Sequence, residues 1–407
     1  MTAEVAVLNS GGVAIAADSA ITISISKNNN KTYYTAQKVF NLSRKHSVGI
    51  MVYNTSAFMN IDWEIIIHEF GKALGDRVFD TLKEYADYML TFLRDFIHVT
   101  DTLQKEYLEY LSYSFFDSIK DYYDAEISGD EKDQKIAKTR QVQILADVLK
   151  NVRKRLESET FSSGFTDDEF AKANREIIEK ELDEVFADYS VSGKMKEEMI
   201  DLFFMDLVKA EIAWRWYRCY SGIVFAGYGE KEIYPSVIHF ALHGRLGKNV
   251  MHGYISTADM AESNAWINPY AQTDVINTFI RGIDPYFKDE IINDLDELIG
   301  KVIGIAGKKN AEKIKKLKEA FFEKMDEFEE KNYKDPVMQI VASLPKSNLA
   351  EMAEALVNLT ALRRHVSTDE ESVGGPTDVA LITKTDGFVW IKKKPGNVAN
   401  MIGDQHE

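Results

Sequence analysis

The chain has 407 residues, 45% of them hydrophobic, and carries 65 acidic against 49 basic side chains, a formal net charge of −16. That length can bury a sizeable core in one large domain or in several ordinary ones, and so acidic a chain argues against a surface that tracks phosphates, so no nucleic-acid partner is expected. One cysteine, Cys219, excludes an internal disulfide, no Cys/His spacing suits zinc, and no apolar run reaches the roughly eighteen residues of a membrane span; the expectation is a cytoplasmic protein with no membrane partner, no metal and no cofactor.

From Val5 to Asp18 the text VAVLNSGGVAIAAD reads as two short strands around a turn at Asn9-Ser10-Gly11-Gly12. Ile21, Ile23 and Ile25 then alternate with polar residues, a turn spans Lys27 to Lys31, and extended character resumes at Tyr33. VGIMVY, Val48 to Tyr53, is a buried strand. At Asp62 the apolar spacing changes to three and four, predicting two helices over DWEIIIHEFGKALG and FDTLKEYADYMLTFLRDFI.

Residues Asp101 to Arg218 read as charged amphipathic helices broken by loops at Ser128-Gly129-Asp130, Ser162-Ser163-Gly164 and Ser190-Val191-Ser192-Gly193. Strands return between Ser221 and Gly244, and Ala271 to Gly282 reads as one helix. A second charged helical stretch, Asp289 to Asn332, suits a surface pair. Ser347 to Val366 is an amphipathic helix with Ser347 or Asn348 as its cap, and two strands close the chain around Thr385-Asp386-Gly387. The domain reading is therefore a core begun by 1–100, a helical insertion at 101–218, core strands and a central helix at 219–284, a second helical insertion at 285–346, and a closing helix and strands at 347–407. Strands at both ends with helices between them describe an α+β chain, a β-sandwich with helices packed on its faces.

A hydroxyl becomes a good nucleophile once a base takes its proton, and a threonine at a chain terminus carries that base as its own α-amine, with a pKa near ~8. Thr2 is small enough that removal of Met1 would expose both groups. Its context, TAEVAVLNSGGVAIAADS, with Asp18 at a gap-free distance and Lys38 in QKVFNL before a strand, resembles the N-terminus of proteasome β-subunits. NPYAQTDVINTF and ESVGGPTDVALITKTDGF extend the resemblance in the same order. The resemblance implies the N-terminal-nucleophile (Ntn) hydrolase fold, a four-layer αββα sandwich, here with two large helical insertions outside the match. It implies a threonine peptidase or amidohydrolase acting on a peptide or other amide substrate, assembled as a homo-oligomer, with any adaptor or unfoldase unspecified. Thr2, Asp18 and Lys38 would be catalytic: the Lys38 ammonium lowers the pKa of hydroxyl and amine, and Asp18 holds Lys38.

The departures fall around that trio. Tyr53 and Asn54 stand where the family has a glycine whose N–H binds the oxyanion. Ala265-Trp266-Ile267-Asn268 replaces a Gly-Ser-Gly, which leaves Ser263 as a loose candidate for the supporting serine, and Glu370 and Val373 stand at the family's Asp and Ser before Gly374-Gly375, with Ser372 one residue displaced. Two other readings therefore stay open, a non-catalytic assembly protein of this fold and a small-molecule amide hydrolase. Trp214, Trp216, Tyr217 and Tyr220 read as packing surface and Cys219 as core. His239 and His243 lack a third ligand, and the glycine pair reads as close strand packing.

Overall fold

The computed structural model describes residues 2–26, 29–43, 45–130, 138–158, 169–208, 220–306, 308–367 and 373–394. The first strands are β1 (Ala3–Asn9), β2 (Gly12–Ala17), β3 (Ile21–Ser26), β4 (Asn29–Tyr33), β5 (Val39–Asn41), β6 (Val48–Asn54), β7 (Ala57–Phe58) and β8 (Ile61–Asp62). Helices α1 (Trp63–Leu74), α2 (Leu82–Asp95), α3 (Asp101–Asp130), α4 (Lys138–Ser158), α5 (Glu169–Ala173), α6 (Arg175–Val185) and α7 (Gly193–Val208) follow. The chain then returns to strands β9 (Ser221–Gly227), β10 (Ser236–Leu246), β11 (Asn249–Asp259) and β12 (Ala265–Ala271). Helices α8 (Asp274–Arg281), α9 (Pro285–Ala306), α10 (Lys308–Glu329), α11 (Asp335–Ser343) and α12 (Lys346–His365) lead to β13 (Asp378–Thr383) and β14 (Gly387–Lys392).

Two antiparallel sheets carry the core, in the orders β12-β1-β2-β13-β14 and β11-β10-β9-β6-β5. Side chains alternate across a strand, and β1 shows the result. Ala6 and Leu8 join Val13, Ile15, Met51, Val224 and Ile382 in one cluster between the sheets. Val5 and Val7 turn outward to pack with Ile276, Ile280, Leu349 and Val357 of α8 and α12. On the far side, Ile50, Phe225 and Phe240 of the second sheet pack against Ile66, Phe70, Tyr85 and Met89 of α1 and α2. The β1–β2 turn closes on Asn9, whose side-chain oxygen accepts from Gly11 N–H at 2.8 Å while its amide donates to the Val341 and Leu344 carbonyls at 2.9 Å. An Asx turn thus ties the hairpin tip to the end of α11.

Helices α3 to α7 hold their own apolar core, built on Leu111, Phe115, Phe116, Leu149 and Phe203, and Leu246 and Met251 of the β10–β11 hairpin complete it. Arg245 fixes the entry to this region: its guanidinium donates to the carbonyls of Leu93, Arg94, Phe96 and Val99 at 2.7–3.0 Å, satisfying the C-terminal end of α2 and the turn into α3. Gly244 lets α3 come close, because a Cβ there would lie 2.4 Å from the Tyr107 ring.

Several expectations change. The loop expected at Ser128-Gly129-Asp130 is the last turn of α3, and the turn expected over Lys27 to Lys31 is cut short because β4 begins at Asn29. The loop expected at Ser162-Ser163-Gly164 lies outside the described residues. Residues 249–259 and 265–271 are strands, and the helix expected from Ala271 begins at Asp274. Both strands lie at sheet edges, where one side of the backbone is unpaired. That position tolerates Pro269 in β12 and the mixed polar pattern of β11, so apolar alternation is weak in both. The cap expected at Ser347 or Asn348 also moves, since α12 starts at Lys346 behind Pro345, whose carbonyl accepts from the N–H of Asn348 and Leu349 at 3.0 and 3.2 Å.

Candidate active site

Thr2 precedes β1 on the same alternating face as Glu4, Ala6 and Leu8. Its side chain is 8% exposed, and Oγ1 has no hydrogen-bond partner among the described residues. The start of the strand is pinned by two bonds to the residue after β2: Ala3 N–H donates to Asp18 Oδ1 at 3.1 Å, and Asp18 N–H donates to the Ala3 carbonyl at 3.1 Å.

Asp18 is fully engaged. Besides Ala3 it accepts from Ala20 N–H at 3.3 Å, from Gly374 N–H at 2.9 Å and from Lys38 Nζ at 2.5 Å. Lys38 sits just before β5, 6% exposed, and its carbonyl accepts from Val52 N–H at 2.9 Å, which fixes it to the neighbouring strand. The glycine pair is part of this arrangement. Gly374 brings its N–H to Asp18, and a Cβ at Gly375, where φ is +78°, would meet Ser19 Oγ and Tyr34 at 2.7 Å. The close packing expected of these glycines is present, together with a hydrogen bond that their sequence did not announce.

Glu4 was not singled out in the sequence, yet it lies at the centre. It is 0% exposed, its nearer oxygen is 3.5 Å from Lys38 Nζ, and neither oxygen makes a geometrically sound hydrogen bond. Burial pushes its carboxyl up to about 7, opposed by the Lys38 charge, reinforced by the Asp18 charge and eased by the nearby Thr2 hydroxyl. A signal was available: a carboxylate on the inward face of an apolar strand, two residues from the candidate nucleophile, is where a buried charge needs explaining.

Thr2 and Lys38 both line a cavity of about 870 Å³, together with Val52, Tyr53, Asn54, Thr55, Trp63 and Tyr220. Asn54 has φ +72°, a left-handed backbone that glycine takes freely and asparagine tolerates better than most residues; its amide donates to the Tyr220 carbonyl at 2.8 Å. Tyr53 points between the sheets, its hydroxyl 2.7 Å from His239 Nε2, with Tyr270 against both rings. Burial raises the Tyr53 and Tyr270 hydroxyls above the usual tyrosine range and holds the His239 imidazole down at about 4. Tyr220, expected as packing surface, is a wall of the cavity, and α3 supplies another wall through Leu103, Glu106, Tyr107 and Tyr110.

The remaining expected positions lie elsewhere. Ser263 sits in the turn between β11 and β12, its hydroxyl donating to the Met260 sulfur at 3.9 Å, and is not a wall of the cavity. Residues 265–271, which stand where the resemblance has Gly-Ser-Gly, form an edge strand paired with β1. Glu370 and Ser372, with Trp214, Trp216, Tyr217 and Cys219, lie outside the described residues. No helix among the described residues is long and apolar enough to cross a membrane.

No protein-family model matches the chain, and neither does any curated protein. Among solved structures it is similar to an Anbu mutant from Hyphomicrobium sp. strain MC1, at 9% identity over 96% of this chain and 85% of that one, with a TM-score of 0.29. It is also similar to Anbu, an ancestral β-subunit, from Yersinia bercovieri, at 10% identity over 97% and 88%, with a TM-score of 0.27. These findings correct the resemblance drawn from the N-terminal sequence: the neighbours found are Anbu proteins at very low identity and TM-score, and membership of the proteasome β-subunit family does not carry forward. What the chain does must be argued from its own site.

Proposed function

We propose that this chain is an N-terminal-nucleophile amidohydrolase that cleaves peptide or related amide bonds with Thr2 after Met1 is removed. The observation that carries the reading is that Thr2, more than nine-tenths buried, lines an 870 Å³ cavity together with Lys38, itself bonded to Asp18. A threonine set beside a buried lysine–aspartate pair on the wall of a cavity is where a substrate carbonyl would meet it.

The chemistry follows from the arrangement. The Thr2 hydroxyl adds to the amide carbonyl while its proton passes to the freed α-amine, directly or through one water. The Lys38 ammonium favours the oxyanionic forms electrostatically, and Asp18 holds that ammonium in place. The backbone at Asn54 supplies the N–H toward the oxyanion, its left-handed φ serving where a glycine would serve elsewhere. Collapse breaks the C–N bond, the proton goes to the leaving amine, and water hydrolyses the ester left on Thr2. In the same reading the two facing sheets and their outer helices form the Ntn hydrolase sandwich, and 101–218 and 285–346 are insertions.

The test is a pair of measurements on purified protein. Intact mass should show the chain without Met1, and hydrolysis of fluorogenic peptide amides should fall about 10³-fold or more in Thr2→Ala. Full retention of Met1, or equal turnover by the variant, would sink the proposal.

A further inference from the structure

Among the described walls of the cavity, Lys38 is the one Lys or Arg, and Asp18 already occupies it. Three carboxylates face it on the same walls: Asp62 and Glu64 at the start of α1, and Glu106 on α3. None of the three is in an ion pair among the described residues; Asp62 spends one oxygen capping the Glu64 N–H at 2.7 Å. Aromatic faces stand beside them, Tyr107 stacked on Tyr110 with ring centres 6.3 Å apart, and Tyr220. The acidic groups are not the only sign of a ligand here, because Thr2, more than nine-tenths buried, lines the same space with the Lys38–Asp18 pair behind it.

We infer that this cleft selects amides bearing a cationic side chain, arginine or lysine, and that helix α3 is in the molecule partly to build that selectivity. The inference rests on the reading of the cavity as a substrate site. Carboxylates attract the cation, aromatic faces accept a guanidinium or ammonium through their π-electrons, and among the described walls no free cation opposes it. A glutamate-bearing substrate would meet three like charges. Arg245 and the small Gly244 hold α3 at the cleft, so the wall is built on rigid elements rather than on a loop.

Because the inference concerns recognition, it can be tested without turnover. Blocked tripeptide amides that differ only in carrying arginine, norleucine or glutamate are titrated into full-length Thr2→Ala protein by calorimetry. The arginine peptide should bind about tenfold tighter than norleucine, and the glutamate peptide weakest. Raising the salt to about 1 M, where the screening length is about 3 Å, should erase most of the difference. In the same background Glu64→Gln combined with Glu106→Gln should bring the arginine peptide close to norleucine. Binding of norleucine or glutamate peptide as tight as arginine, no binding of the arginine peptide, or an undiminished preference in the double variant overturns the inference. The hydrolytic reading fails separately: if a neutral electrophile leaves Thr2 unmodified while the arginine preference persists, the cation site stands and the nucleophile does not.

Discussion

Asp18 and Glu4 are two buried carboxyls that share one lysine, and they are solvated in opposite ways. Asp18 lies at a strand end, where loop N–H groups converge, and four donors satisfy it. Glu4 lies inside β1, where the N–H groups of its own strand are committed to β2 and β12, and its one ion-pair partner among the described residues is Lys38 at 3.5 Å. The first has its oxygens taken up by fixed hydrogen bonds; the second is pushed by burial toward its neutral form, with a value near 7. The difference teaches where a carboxyl can be structural and where it can hold a mobile proton: donor supply at a strand end against donor poverty in a strand interior.

The comparison breaks most severely if Asp18 is removed. Asp18→Ala strips Lys38 of its close partner and leaves the Ala3, Ala20 and Gly374 N–H groups without their acceptor, an expected loss of roughly 3–5 kcal/mol in denaturant unfolding. Glu4 should then drop below 7, because the like charge that raised it is gone and Lys38 is left to it alone. A change near zero in stability would mean that Asp18 does not anchor the site.

Glu4→Gln should cost less overall and change the pH dependence instead. Between the ordinary carboxyl value of 4.5 and about 7, the unfolded chain releases a proton that folded Glu4 keeps, so this group makes stability fall as pH rises, by roughly 3 kcal/mol in full. His239 acts with the opposite sign. From 6.5 down to about 4 the unfolded chain binds a proton that the buried imidazole refuses, so its contribution is lost as pH falls. The two slopes oppose each other across their overlap. Glu4→Gln should therefore leave stability rising with pH there, and His239→Gln, which keeps a hydrogen-bonding group near Tyr53, should leave it falling. Identical pH profiles for both variants and the parent would show that neither group titrates as described.

The legible part of this molecule is the part written locally. The β1–β2 hairpin follows from Asn9 and the glycines after it; that Thr2, Asp18 and Lys38 belong together came from the sequence resemblance rather than from periodicity, and the fold does bring them to one place. Glu4 was legible in principle, as a charge at an inward position of an apolar strand. Strand β12 escaped notice because it pairs with β1 across more than two hundred and fifty residues of sequence, and edge strands carry little alternation of their own. The contribution of Glu106, Tyr107 and Tyr110 to the cleft was out of reach, because it depends on how α3 docks through Arg245 and Gly244, a tertiary contact that helical periodicity does not encode.

The central claim is that the Thr2 hydroxyl is the nucleophile, and covalent mapping tests it most directly. Purified protein is treated with a β-lactone, digested, and the adduct located by tandem mass spectrometry. The expected result is one adduct, on an N-terminal peptide beginning at Thr2, absent from Thr2→Ala. An adduct elsewhere that forms equally in the variant, with Thr2 unmodified in the parent, would contradict the account.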